Sequence, residues 1–160
     1  LVILNLPHVK NLARELAKFG DQHRNSQYAR NFQNEDSHLA ISAERLATSL
    51  SQGNAVLHEK YLTAFENSST DAMMNYYRAN FPREPYTSGV FLEVDRIQAP
   101  VLQFHGLNDT ALLPQSLNNT WEELDQDWTL VTVPGAGHWP HHDKPEMVTN
   151  MMKAWLALHN

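Results

Sequence analysis

Two segments of the chain share one pattern, a short apolar run followed by a turn: Ala99-Pro-Val-Leu-Gln-Phe-His105-Gly-Leu-Asn-Asp109 and Trp128-Thr-Leu-Val-Thr-Val133-Pro-Gly-Ala-Gly137-His138. Each opens with a short, mainly apolar run, which predicts a buried strand. Each then runs into a turn that carries one polar side chain, Asp109 or His138. Because the carboxyl ends of parallel strands lie at one edge of a sheet, we expect these two side chains to meet there.

A third apolar run, residues 1–6, predicts another strand, and the sequence that follows it is helical in pattern. Gly20 ends one amphipathic run, Ser42 is placed to cap a second, and Ser69 or Thr70 a third. Further helices are predicted from Pro114 to about residue 124 and, behind an Asp143/Glu146 capping box, at the C-terminus. The list of predicted elements is strand, helical block, strand, helix, strand, helix.

This alternation is typical of an α/β protein with a parallel sheet and right-handed crossovers. We therefore predict a core built from residues 1–8 and 96–160 and a helical insertion at residues 9–95.

Composition excludes several functional classes. The 160 residues carry a formal net charge of -6 and lack a cluster of basic residues, which argues against nucleic acid as a partner. No apolar run approaches the roughly 18 residues that cross a bilayer, so no membrane span is predicted. The absence of cysteine removes thiolate nucleophiles, disulfides and cysteine-ligated metals, and leaves the compartment undetermined.

An acid after one strand and a histidine after the next are two-thirds of a hydrolytic triad. The carboxylate of Asp109 would fix the tautomer of His138 and stabilise its charged form, leaving the other ring nitrogen as a general base. Each residue alone has a plainer explanation, as a turn aspartate or a surface histidine, but their matching positions favour function. A metal site at His138, His141 and His142 is disfavoured because no fourth ligand lies nearby in sequence.

Two tyrosines of the helical block, Tyr28 and Tyr77, are candidate hydrogen-bond donors to a developing oxyanion. Tyrosine on an amphipathic helix usually serves packing, so the pattern alone does not separate the two interpretations.

Several short segments together resemble the soluble epoxide hydrolases of the α/β-hydrolase superfamily. The similarity covers essentially the whole chain, aligned from the sixth strand of that fold to its C-terminus. Leu4-Asn-Leu-Pro-His8 resembles the segment that follows the nucleophile helix in this family. Tyr28 with Phe32-Gln33 and Asn75-Tyr-Tyr-Arg78 resemble two stretches of its cap. Gly137-His-Trp139 before Asp143-Lys-Pro145 resembles its histidine loop. The implied fold is the C-terminal part of an α/β-hydrolase parallel sheet, with three strands, and a helical cap inserted in it.

The resemblance implies a two-step hydrolysis of a small apolar epoxide without cofactor or metal. An aspartate attacks an epoxide carbon while Tyr28 and Tyr77 hydrogen-bond the ring oxygen, with Tyr76 as the alternative to Tyr77. His138, oriented by Asp109, then activates the water that hydrolyses the covalent ester to a vicinal diol.

The family's nucleophile turn and oxyanion loop have no match in this sequence. We therefore expect the chain to be the C-terminal part of something longer, to require the N-terminal half of the fold as a partner, and to be inactive alone. The unpaired edge of the strand at residues 1–6 would also favour association, with a homo-oligomer as one outcome.

Two other interpretations stay open. The chain could belong to a haloalkane dehalogenase or an esterase of the same fold, although paired tyrosines favour epoxides over halides. It could also be a non-catalytic module that binds a ligand or a partner, although an intact Asp109 and His138 weigh against a pure binder.

Overall fold

The computed structural model describes residues 1–87, 89 and 93–159. Three strands form one parallel sheet: β1 (Val2–Leu4), β2 (Val101–Gly106) and β3 (Trp128–Val133), in the order β1-β2-β3. Val2 lies opposite Leu102 in the first pair of strands, and Val101 lies opposite Trp128 in the second. The predicted three-stranded parallel sheet and α/β fold class are confirmed.

Eight α-helices accompany the sheet within the described residues. They are α1 (Val9–Leu16), α2 (Asp21–Asn25), α3 (Gln27–Phe32), α4 (Ala43–Ser51), α5 (Ala55–Glu66), α6 (Thr70–Asn80), α7 (Pro140–Asp143) and α8 (Pro145–Leu158). None of the helices in this part of the chain is both long enough and apolar enough to cross a membrane.

The core lies around the central strand β2, every residue of which is buried: strands flank both of its edges, and α8 packs against Leu102 and Phe104. From α8, Val148 and Trp155 pack against this strand and β3. The cluster consists of Leu102, Phe104, Val131, Val133, Ala136, Val148 and Trp155. This packing fixes β2 and β3, and with them the two turns that leave their carboxyl ends.

The chain divides into two compact units, and the division differs from the predicted one. The sheet unit comprises Leu1–Ser26 and Pro82–Asn160, and the helical unit comprises Gln27–Phe81, which is shorter at both ends than the predicted 9–95. The difference at the N-terminal end arises because α1 buries the apolar face formed by Leu12 and Leu16 within the sheet unit.

Within the helical unit, side-chain caps mark where helices begin. Ser42 accepts a hydrogen bond from the backbone N–H of Arg45 at the start of α4, as predicted. Ser69 plays the same part for α6 by accepting from Ala72, so it and not Thr70 is the cap. These bonds satisfy backbone donors that a helix N-terminus leaves unpaired.

Two predicted helical features are wrong. The helix expected from Pro114 is two short 3-10 turns, Pro114–Leu117 and Thr120–Glu123, because Asn119 between them adopts a left-handed conformation with φ 66°. The predicted capping box at α8 does not form, since Lys144 precedes that helix without a side-chain cap.

Candidate active site

Asp109 lies in the turn directly after β2 and is almost completely buried. Its backbone N–H donates to the carbonyl of Gly106, which closes the turn. One carboxylate oxygen, Oδ1, accepts hydrogen bonds from the backbone N–H groups of Ala111 (2.8 Å) and Leu112 (3.1 Å). The loop therefore binds one oxygen of the carboxylate and leaves the other, Oδ2, pointing elsewhere.

That second oxygen faces His138, whose Nδ1 lies 2.8 Å from Oδ2 of Asp109. The carboxylate side chain is 0% exposed, whereas the imidazole is 34% exposed. An ionised carboxylate only accepts hydrogen bonds, so Nδ1 carries the proton and Nε2 is left as the basic nitrogen. The structure thus brings together the two residues that the sequence placed at one edge of the sheet.

The electrostatics of the pair keep Asp109 ionised. Burial by itself would raise the pKa of Asp109, but the hydrogen bond from His138 and those from the Leu112 and Ala111 backbone outweigh it, so the pKa lies below its usual value. Behind the pair, burial lowers the pKa of His105 against the opposing charge of Asp109. His105 is therefore uncharged at neutral pH, and it adds no second positive charge beside His138.

Gly106 allows the two turns to approach each other. A Cβ atom at this position would lie 2.1 Å from the backbone oxygen of Gly137 and 2.7 Å from that of Ala136. At this short distance the two turns are hydrogen-bonded directly: the N–H of Asn108 donates to the carbonyl of Ala136 at 2.9 Å. A side chain larger than hydrogen would push the histidine turn away from the acid turn.

Asn5 also belongs to the site, although it was not among the residues predicted from the sequence. It follows β1, is 1% exposed, and has a left-handed backbone with φ 60°. Its Nδ2 donates to Oδ2 of Asp109 (2.5 Å) and to the carbonyl of Gly137 (3.1 Å), and its Oδ1 accepts from the N–H of Gly106 (3.0 Å). Two sequence signals pointed to its segment: its place at the same sheet edge, and the similarity of Leu4-Asn-Leu-Pro-His8 to the epoxide hydrolases.

Asp143 also supports the histidine turn. Its Oδ2 accepts a hydrogen bond from the backbone N–H of Gly137 at 2.7 Å, so this carboxylate anchors the turn before His138 instead of capping α8. Trp139 packs edge-on against His138, with ring centroids 4.9 Å apart. Among the residues that the structure describes, no three His, Cys, Asp or Glu side chains are grouped so as to hold a metal ion.

The two predicted tyrosines lie together in the helical unit. The rings of Tyr28 on α3 and Tyr77 on α6 meet edge to face with centroids 6.3 Å apart, and Phe32 contacts both. Both tyrosines are half-buried, whereas Tyr76 is 58% exposed. Burial and the neighbouring Tyr76 raise the pKa of Tyr77, so its hydroxyl stays protonated and can donate.

Gln33 holds the end of α6 against α3. Its Nε2 donates to the carbonyls of Phe81 (2.9 Å) and Tyr77 (3.3 Å). The backbone of Tyr77 is thereby tied to the helix that carries Tyr28. Each unit thus contains one preorganised pair: Asp109 with His138 in the sheet unit, and the two tyrosines in the helical unit.

The fold resembles that of solved bacterial hydrolases. A point mutant of an epoxide hydrolase from Bacillus megaterium superposes with a TM-score of 0.82 at 26% sequence identity, over 98% of this chain and 60% of the other. The chain belongs to the α/β-hydrolase superfamily. Within that superfamily, its similarity is to epoxide hydrolases, as the sequence motifs indicated.

Two curated proteins with different named activities are similar to parts of this chain. Epoxide hydrolase 1 of Caenorhabditis elegans is 31% identical over 97 residues, covering 61% of this chain and 22% of that protein. The Xaa-Pro dipeptidyl-peptidase of Lactiplantibacillus plantarum is 28% identical over 131 residues, covering 79% of this chain and 16% of that protein. No family model matches the sequence. This α/β-hydrolase chain therefore spans about 60% of the solved epoxide hydrolase and less than a quarter of either curated relative.

Proposed function

We propose that the protein hydrolyses epoxides to vicinal diols through a covalent aspartyl ester. This chain would supply the Asp109–His138 relay from its sheet unit and Tyr28 and Tyr77 from its helical unit, which would act as the cap. The observation that carries the proposal is the 2.8 Å hydrogen bond between the buried carboxylate of Asp109 and Nδ1 of His138. A relay of this kind serves hydrolysis and has no use in a passive binder.

The first step opens the epoxide ring. A carboxylate from polypeptide outside these 160 residues attacks one ring carbon, and the bond from that carbon to the ring oxygen breaks. The hydroxyls of Tyr28 and Tyr77 hydrogen-bond the oxygen, and one of them transfers its proton, so that a hydroxyl ester forms. Tyr77 is protonated at neutral pH, with its pKa raised by burial and by Tyr76, so its hydroxyl is available as a hydrogen-bond donor to the ring oxygen.

The second step releases the product. Nε2 of His138 removes a proton from water, and the resulting hydroxide attacks the ester carbonyl. Collapse of the tetrahedral intermediate frees the diol and restores the carboxylate, and the proton on the imidazole returns through solvent to the tyrosine. The ionised Asp109 stabilises the imidazolium that exists between these events.

The test is a panel of substrates offered to the intact protein: styrene oxide, a p-nitrophenyl ester and a bromoalkane. We expect diol formation from the epoxide, with Tyr77→Phe slowing ring opening and Tyr76→Phe serving as the matched control. Turnover of the ester or bromoalkane alone would move the assignment to an esterase or a dehalogenase. Full epoxide turnover by a Tyr28→Phe/Tyr77→Phe double variant would remove the tyrosines from the mechanism.

A further inference from the structure

The turns after β2 and β3 meet at the Asp109–His138 pair, and one side chain from the end of β1 contacts both of them. Asn5 follows β1, donates from Nδ2 to Asp109 and to the carbonyl of Gly137, and accepts at Oδ1 from the N–H of Gly106. Gly106 ends β2, and Gly137 directly precedes His138. An asparagine side chain has one acceptor and two donors to place, and all three functions are used here.

The oxygen of Asp109 that Asn5 contacts is the one that faces the imidazole. Oδ2 accepts from Asn5 at 2.5 Å and from His138 at 2.8 Å, while Oδ1 is occupied by the backbone N–H groups of Ala111 and Leu112. Rotation of the carboxylate would break bonds on both oxygens. The donor from Asn5 therefore limits the directions in which Oδ2 can accept from Nδ1.

The second donor of Asn5 acts on the other partner. The carbonyl of Gly137 lies one residue before His138 and is held at 3.1 Å by the same Nδ2. One amide group thus fixes the acid and the turn that carries the base relative to each other. The left-handed backbone of Asn5, at φ 60°, is a conformation that asparagine tolerates better than most residues, and it aims the side chain between the two turns.

We infer that Asn5 is a positioning residue that holds the Asp109 carboxylate and the His138 turn in the one arrangement in which Nδ1 of the imidazole carries the proton. Its catalytic meaning rests on the proposed function, but its structural claim does not, because the tautomer of His138 can be measured without a substrate. A residue that only fills space would leave that tautomer unchanged.

The test is Asn5→Gly in the intact protein, with the His138 tautomer read from its ring nitrogen shifts by NMR at a pH where the ring is neutral. Glycine accepts the positive φ without strain, so the change removes the amide group and leaves the backbone conformation available. Asn119→Gly is the matched control, because Asn119 is an exposed asparagine with φ 66° and makes no capping bond.

We expect a single Nδ1–H tautomer in the parent and in Asn119→Gly, and loss of that single state, with the Nε2–H form becoming visible, in Asn5→Gly. A single tautomer retained in Asn5→Gly would overturn the inference. If the protein turns over epoxides, the same variant should lower kcat while KM stays near its parent value. If the parent does not turn over epoxides, the proposed function is wrong. The role of Asn5 is then tested by the tautomer of His138 alone.

A second measurement covers the case in which Asn5→Gly does not fold. In the parent protein, one side-chain amide proton of Asn5 is donated to Oδ2 of Asp109 and the other to the carbonyl of Gly137, so both should exchange with solvent much more slowly than those of the exposed Asn119. Amide protons of Asn5 that exchange as fast as those of Asn119 would overturn the inference.

Discussion

Replacing Asp109 with asparagine tests the relay because it keeps the shape of the side chain and removes one acceptor. The amide oxygen of the new residue can still accept from the backbone N–H groups of Ala111 and Leu112. Its NH2 group then occupies the place of Oδ2, where it faces the NH2 of Asn5 and the N–H of His138. The two hydrogen bonds that Asn5 and His138 donate to the carboxylate are lost, and their N–H groups instead face another N–H donor.

The size of the effect follows from these contacts. Each hydrogen bond to a charged group contributes about 1.5–3 kcal/mol, so losing both would cost about 3–6 kcal/mol. His138 can recover one bond by moving its proton to Nε2, so that Nδ1 accepts from the new amide. We therefore expect Asp109→Asn to lower the free energy of unfolding by about 2–3 kcal/mol.

The same tautomer change removes the base. With the proton on Nε2, His138 cannot accept a proton from water, and the corresponding exchange in a serine protease triad lowers the rate about 10⁴-fold. Urea unfolding of the intact protein measures the stability change, and epoxide turnover measures the rate. Asp36→Asn is the control, because Asp36 is exposed and makes no capping bond. If Asp109→Asn unfolds at the parent's urea midpoint with an unchanged His138 tautomer, Asp109 neither stabilises the turn nor sets the tautomer.

Three further predictions concern the turns, acid pH and the helical unit. Gly106→Ala should destabilise the protein by about 1–3 kcal/mol because its Cβ would meet the Gly137 carbonyl. Gly20→Ala, whose Cβ would meet nothing within 4 Å, should lower the urea midpoint by less, because it changes only the residue that caps α2; an equal loss in the two variants would contradict the prediction. The pKa of Asp109 is lower in the folded than in the unfolded chain, so its ionised form stabilises the fold. This stabilisation should be complete above about pH 5 and be lost as the pH falls through the pKa of the folded state. An equally steep fall in the free energy of unfolding at acid pH in Asp109→Asn would contradict this. Ser69→Ala should cost the helical unit about 1 kcal/mol by removing the cap of α6, measured as a lower thermal midpoint, and an unchanged midpoint would show that the cap is dispensable.

The sheet was predictable because its strands are short runs rich in apolar residues and each is followed by turn residues. Buried parallel strands are apolar on both faces, and the turns that follow them end in residues with obvious chemistry. The positions of Asp109 and His138 at one sheet edge follow from that topology alone. The fold class and the pairing of these two residues therefore depend on short-range patterns that the sequence displays directly.

The remaining features depend on contacts between distant segments. Asn5 reaches Asp109 across more than a hundred residues, and nothing in its own neighbourhood distinguishes it from a turn asparagine. Asp143 has the local spacing of a capping residue, but its carboxylate instead accepts from Gly137. The apolar periodicity after Pro114 favoured one helix, and the left-handed Asn119 interrupts it. In each case a tertiary contact or a single backbone conformation overrides the local preference.

The proposed covalent mechanism can be tested directly by the mass of the intact His138→Gln protein after incubation with excess styrene oxide. If His138 acts only in the second step, ring opening proceeds and ester hydrolysis stops, so we expect a covalent adduct with the added mass of one epoxide to accumulate in the variant and not in the parent. Release of diol by the variant at the parent rate, or absence of the adduct while the parent turns over, would rule this mechanism out.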